Sequence, residues 1–208
     1  MLQLRKVSIV ILARSHTPSI ISPDWVHGTL SINEKENNFI HTPPLSLFDS
    51  ASFILTVDTD RWELTAKVLD DAHIALCGQA AGAYFRALSH IPYKRLGMNY
   101  IWAYSPSLRG ERLPQVSLKI NELDPEEILD GKSVRYGGTV EVDLKSYILK
   151  LAMNCEGDQT FIFNYNFSHD IQSWSTRKRT GAASSFLSLK ARSEEMTKSI
   201  LAGKGVKS

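Results

Sequence analysis

Between Asp71 and His90 apolar residues recur at steps of three and four. Ile74, Cys77, Ala81, Tyr84, Phe85 and Leu88 therefore share one face of a helix. Asp70 and Asp71 stand at its start, where a carboxylate accepts free backbone N–H groups and suits the helix dipole. Pro92 marks a point by which the helix has ended. Gly78 and Gly82 lie four apart and form a flat strip. That strip fits close packing against a sheet or, alternatively, backbone approach by a ligand. The period then changes from 3.6 to 2. Over a strand from Lys94 to Tyr104, Met98, Tyr100, Trp102 and Tyr104 fall on one face, with Asn99, Ile101 and Ala103 on the other. The aromatic row is either a core layer or a cavity wall.

The rest of the chain is mostly strand-like. Val7 to Ala13 is a continuous apolar run of the kind buried on both faces. Ser22 and Pro23 open a short helix that Gly28 closes. Asn33 to Asn38 reads as an exposed loop, and His41 to Pro44 as an extended segment leading across the sheet. Ser52–Val57 and Arg61–Val68 alternate around Asp58-Thr59-Asp60, which predicts a hairpin. Phe53, Leu55 and Val57 share its face with Trp62, Leu64 and Ala66. Ser105–Pro114 reads as a loop, and Asn121–Lys132 as an acidic stretch with a helix start at Asp124-Pro125. Ser133–Leu144 is a strand pair or a bulged strand around Gly137-Gly138. Tyr147–Asn154 and Thr160–His169 form a second hairpin, turning at Glu156-Gly157-Asp158, with Phe161, Phe163, Tyr165 and Phe167 on one face. A basic linker, Ser175–Gly181, leads to a helix whose seam is Ala182, Phe186, Leu189, Ser193, Met196 and Ile200.

These elements predict an α+β fold: a mostly antiparallel sheet with two main helices on one face. The order of elements repeats, so one domain of two similar halves is expected, about residues 1–95 and 96–201, with a frayed basic tail at 202–208.

Composition narrows the function classes. With 43% hydrophobic and 22% charged residues, the 208-residue chain is ordinary for a soluble protein. A net charge of +2 makes the whole chain a poor electrostatic match for nucleic acid. The charge is uneven, however: residues 174–208 carry eight basic and two acidic side chains, and the remainder is mildly acidic. Two cysteines are too few for a disulfide framework, which predicts a reducing, cytoplasmic setting. No apolar run reaches membrane-spanning length, so no membrane partner is expected.

Several short motifs carry a resemblance. They are Pro23-Asp24-Trp25 after the opening strand, Thr42-Pro43-Pro44, Asp60-Arg61 in the hairpin, and Leu96-Gly97-Met98-Asn99-Tyr100 after the helix. Over residues 7–104 the chain resembles a loosely defined group of uncharacterised, sporadically distributed bacterial proteins. The resemblance implies a bacterial cytoplasmic origin and a role beside mobile or defence genes. It carries over no catalytic residue.

The residues themselves point to binding rather than catalysis. None of the six histidines stands at a ligand spacing from another histidine, and neither cysteine has a near neighbour of ligand type. No Gly-x-Ser-x-Gly is present. No catalytic residue, metal or cofactor is therefore assigned. His169 beside Asp170 is the titrating pair that stands out, with surface capping as the plainer explanation. Three binding surfaces are expected. Phe186, Leu189, Met196 and Ile200 offer an interface to another protein or to a second copy. Trp174, Arg177, Lys178 and Arg179 offer nucleic-acid contact. Tyr100, Trp102, Phe163 and Tyr165 offer a small-molecule pocket. The leading expectation is a non-catalytic interaction component of a multi-protein system.

Overall fold

The computed structural model describes residues 1–106, 138–144, 146–156 and 160–202. The elements in chain order are β1 (Leu2–Ala13), α1 (Pro23–Leu30), β2 (Glu36–Thr42), β3 (Leu45–Ser50), β4 (Phe53–Asp58), β5 (Arg61–Ala66), α2 (Asp71–Ala87) and β6 (Tyr93–Tyr104). After the undescribed stretch come β7 (Gly138–Leu144), β8 (Tyr147–Glu156), β9 (Thr160–Asp170), α3 (Thr176–Ser184) and α4 (Phe186–Leu201). The strands form one nine-stranded antiparallel sheet in the order β2-β3-β4-β5-β1-β6-β9-β8-β7.

β1 is central because it is buried in both directions: Val7, Ile9 and Ile11 face one way, and Ser8 and Val10 are buried on the other. Its register with β5 and β6 sets Ile9 between Leu64 and Met98, and Val7 between Ala66 and Tyr100. The same row continues through Phe167 and Leu149 to Val142 at the far edge. α2 begins where the Asp70 carboxylate accepts the His73 N–H. Tyr84 of α2 packs against Trp62 at 5.2 Å and Phe85 against Tyr93 at 4.8 Å, between ring centroids. Phe186 of α4 packs against Tyr100 at 5.1 Å.

Four expectations need correction. Glu36–Asn38 belongs to a strand, not to a loop, and Pro43-Pro44 turns the chain from β2 into β3. β3 escapes notice because its buried side is Ser46, Phe48 and Ser50. The two serines are tolerated inside because Ser46 Oγ donates to the Pro18 carbonyl and Ser50 Oγ to Glu34 Oε2, each at 2.8 Å. α1 runs past Gly28 to Leu30, and Ser31 in the left-handed conformation ends it. The basic linker is the helix α3, capped by Ser175, whose hydroxyl accepts the Lys178 N–H. The expectations for 107–114, 121–132, 133–137, the 157–158 turn and the 203–208 tail lie outside the described residues. Among the described residues no helix is long and apolar enough to cross a membrane.

Candidate functional site

The four rings expected to line a pocket are core. Tyr100, Trp102, Phe163 and Tyr165 are each at most 4% exposed. Three of them are tied to the helix that covers them. Tyr100 Oη donates to the Phe186 carbonyl at 2.5 Å, Trp102 Nε1 to Ser193 Oγ at 2.8 Å, and Tyr165 Oη meets Thr197 Oγ1 at 2.9 Å. Burial pushes the Tyr165 phenol up to about 12, with the Thr197 bond pulling the other way. A ring with its polar atom satisfied by the neighbouring helix leaves no polar group for a ligand to find.

The C-terminal seam is likewise spent on the fold. Phe186 and Leu189 are buried, and Met196 and Ile200 pack against the same core. Amphipathic spacing shows that a helix has an apolar face but not what covers it; here the sheet does.

The basic segment divides. Arg177 and Lys178 are exposed, but Arg179 is 8% exposed. Its guanidinium lies over the Tyr93 ring at 4.9 Å and donates to the carbonyls of Ile171 and Gln172. Lys178 Nζ sits 4.1 Å from the Trp174 ring centre. Arg179 thus fastens α3 to the end of β9 and is withdrawn from nucleic-acid contact, and one face of Trp174 is already occupied. Arg179→Ala is expected to cost about 2 kcal/mol in urea unfolding, while Arg177→Ala stays within about 0.5 kcal/mol.

The glycine strip seats a helix. A Cβ on Gly78 would lie 2.5 Å from the Ala183 carbonyl oxygen, and one on Gly82 would lie 3.1 Å from Thr180 Cγ2. The packed partner is α3, not the sheet expected. Beside the strip is a crevice of about 320 Å³ bordered by Ser31, Arg86, Thr180 and Ser184.

What the structure brings together, beyond sequence expectation, lies where β7, β8, β9 and α3 meet. Leu144, Tyr147, His169, Trp174 and Lys178 line a groove of about 640 Å³, with Asp143 and Asp170 also along it. His169 does not pair with Asp170, which instead accepts the Gln172 N–H. His169 is 6% exposed and its Nδ1 lies 2.7 Å from the Ser146 carbonyl. A carbonyl only accepts, so Nδ1 carries the proton. Nε2 is then a bare acceptor, and it is buried with no partner among the described residues. Burial holds the imidazole below its ordinary pKa, Lys178 acts in the same direction, and the Ser146 bond opposes them. The Tyr147 and Trp174 rings stand edge-on to it at 5.6 and 5.5 Å. His169 continues the alternate row Phe163, Tyr165, Phe167, and that period was the one available sign that it faces inward.

Outside the groove, β7 is an edge strand of the described sheet, and Val140 and Val142 on it are 45% and 40% exposed. No group of three or more His, Cys, Asp or Glu among the described residues could hold a metal ion. Cys77 and Cys155 are free thiols, and burial raises Cys77 to about 12, which makes it inert. The chain matches no protein-family model, and no curated protein matches it in sequence.

Proposed function

We propose that the protein is a non-catalytic interaction component of a bacterial cytoplasmic multi-protein system, in keeping with the role beside mobile or defence genes that the resemblance implies, and that it works by adding a partner's strand to β7. The observation that carries this reading is the exposed pair Val140 and Val142 on an edge strand. Both continue the buried rows of the sheet: Val140 opposite Leu151, Val142 opposite Leu149. An added strand would complete those rows and satisfy the edge backbone groups that no described strand pairs.

In the antiparallel self-pairings that set both valines opposite apolar residues, charge favours a different protein over a second copy. Glu141 and Asp143 lie on the alternate face of β7. Antiparallel self-pairing that sets Val140 opposite Val142 also sets Glu141 opposite Glu141. Pairing Val142 with itself sets Glu141 opposite Asp143. Like charges facing across strands destabilise the pair. The partner strand that fits alternates apolar residues with lysine or arginine.

Mass in solution, measured alone and with the products of neighbouring genes, tests the reading against 23.3 kDa for the single chain. A complex is expected with a neighbour, and Val140→Lys or Val142→Lys abolishes it without loss of folding. A monomer that captures no neighbour sinks the proposal.

The architecture is read in the same spirit as one domain of two fused halves. From the central pair β1 and β6 the sheet runs outward as β5-β4-β3 on one side, with β2 added beyond, and as β9-β8-β7 on the other. Support for helices on one face comes from α2 packing on Trp62 and α4 on Tyr100, two residues whose side chains belong to the same buried layer. Amide exchange slowest in β1 and β6, rising toward both edges, is the expected pattern. Exchange fastest at the β1–β6 seam would refute it.

A further inference from the structure

We propose that the His169 groove is a binding site for a phenol- or indole-type group: a flat apolar ring bearing one N–H or O–H donor. The inference is independent of strand addition at β7. Three features of the groove define the ligand.

The first is the unanswered acceptor. The Ser146 carbonyl fixes the imidazole tautomer, so Nε2 offers a lone pair. That atom is buried without a partner among the described residues. A buried polar atom in this state is costly, and a donor supplied from outside recovers the cost. A ligand carrying only acceptors, such as a carboxylate or phosphate, cannot do so. The second feature is the lining. Leu144, Tyr147, Ile148, Trp174 and Ala182 contribute apolar surface along one groove. A planar ring meets such walls with offset or edge-on aromatic contacts. The third is the position of Trp174. It is half-buried, lies on the short connection between β9 and α3, and stands edge-on to the imidazole. The incoming ring reaches Nε2 by shifting Trp174 and the Lys178 amine that rests on it.

A metal ion is a poorer occupant. Nε2 alone is one ligand, and no cluster of three ligand-type residues stands among the described residues. Bare nucleic acid is also disfavoured, because Asp143 and Asp170 lie along the same groove.

The donor-bearing ring has two sources, a free small molecule or a tyrosine or tryptophan side chain of a partner. The test uses the full chain and three probes: p-cresol, 4-methylanisole and N-acetyltyrosinamide. The first two differ in that the methylated oxygen cannot donate. Binding is read from the Trp174 fluorescence and from the His169 Nε2 nitrogen resonance. In the folded wild-type chain, p-cresol is expected to bind about three- to tenfold tighter than 4-methylanisole, the worth of one net hydrogen bond. The Nε2 resonance moves only with the donor. His169→Phe removes that preference. N-acetyltyrosinamide binding as well as p-cresol points to a side-chain source, and its exclusion points to a free ligand. Equal binding of p-cresol and 4-methylanisole, no saturation with any probe at millimolar concentration, or an unmoved Nε2 resonance each overturns the proposal. The comparison of probes on the wild-type chain decides the matter even if the variant fails to fold. Failure of strand addition would show instead in the Val140 and Val142 variants, which leave this readout intact.

Discussion

Gly78→Ala lowers stability by about 2 kcal/mol, a fall of about 4–8 °C in Tm for a chain of this size. The sign is the informative part. In an exposed helix interior, alanine in place of glycine is worth about 1 kcal/mol in favour of the helix. At position 78 the added methyl would stand 2.5 Å from the Ala183 carbonyl oxygen and 3.1 Å from Phe186 Cβ. The first contact is with backbone, so no rotamer change relieves it. α3 and the start of α4 have to move off α2. That shift strains the bonds from Tyr100 to the Phe186 carbonyl and from Trp102 to Ser193. Gly82→Ala is the matched control. Its methyl would meet Thr180 Cγ2 at 3.1 Å, the tip of a side chain that can turn aside. Its net effect is expected to lie within about 1 kcal/mol of zero. Urea unfolding of the two variants measures the difference. A stabilised Gly78→Ala protein would mean that α2 and α3 are not in this contact.

Stability also falls as the pH drops below neutrality. His16 is 3% exposed in the core, and both ring nitrogens are committed. Nε2 donates to the Ile11 carbonyl at 3.1 Å, which leaves Nδ1 to accept from Tyr84 Oη at 2.8 Å. Burial holds its pKa below the ordinary 6.5. The Ile11 bond and the carboxylates of Asp58 and Asp60 oppose that shift without reversing it. His169 is shifted in the same direction, again by burial first. The unfolded chain therefore binds these protons at a higher pH than the folded chain does. The stabilisation is complete above the ordinary histidine value and is lost as the pH falls from there through the folded-state values. Each such proton contributes a slope of about 1.4 kcal/mol per pH unit, so the two together approach twice that. Urea midpoints between pH 8 and pH 5 give the slope. His16→Phe should remove about half of it. The same variant should cost about 2–4 kcal/mol at pH 8, because the Ile11 carbonyl and the Tyr84 hydroxyl lose their partner. A midpoint that is flat with pH would show that neither imidazole is held neutral.

Periodicity made much of the sheet legible. The hairpins β4–β5 and β8–β9 alternate cleanly, since every second position, from Phe53, Leu55 and Val57 to Phe163, Tyr165 and Phe167, is apolar and buried. β2 and β3 were not legible, because Ser46 and Ser50 occupy inward positions where the pattern needs apolar residues. Their acceptors, Pro18 and Glu34, come from other parts of the chain. Arg177, Lys178 and Arg179 looked alike as a charge run. Helical geometry turns Arg179 inward onto Tyr93 and leaves the other two in water. The aromatic rows of β6 and β9 read first as core with a cavity wall as the alternative, and the hydroxyls of α4 decide for core.

By itself, then, the amino-acid order determined the properties that depend on near neighbours. These are the α2 helix and its Asp70 cap, the buried central strand, the hairpins, and the apolar face of the last helix. Such features follow from backbone geometry and from the spacing of side chains along one element. Tertiary structure alone decided strand order, the seating of α3 on Gly78, and the bare Nε2 of His169 between Tyr147 and Trp174. Each of those depends on which distant groups arrive within a few ångströms. A hydrogen-bond donor, a carbonyl or a ring edge leaves no trace in the sequence pattern of the residue it meets.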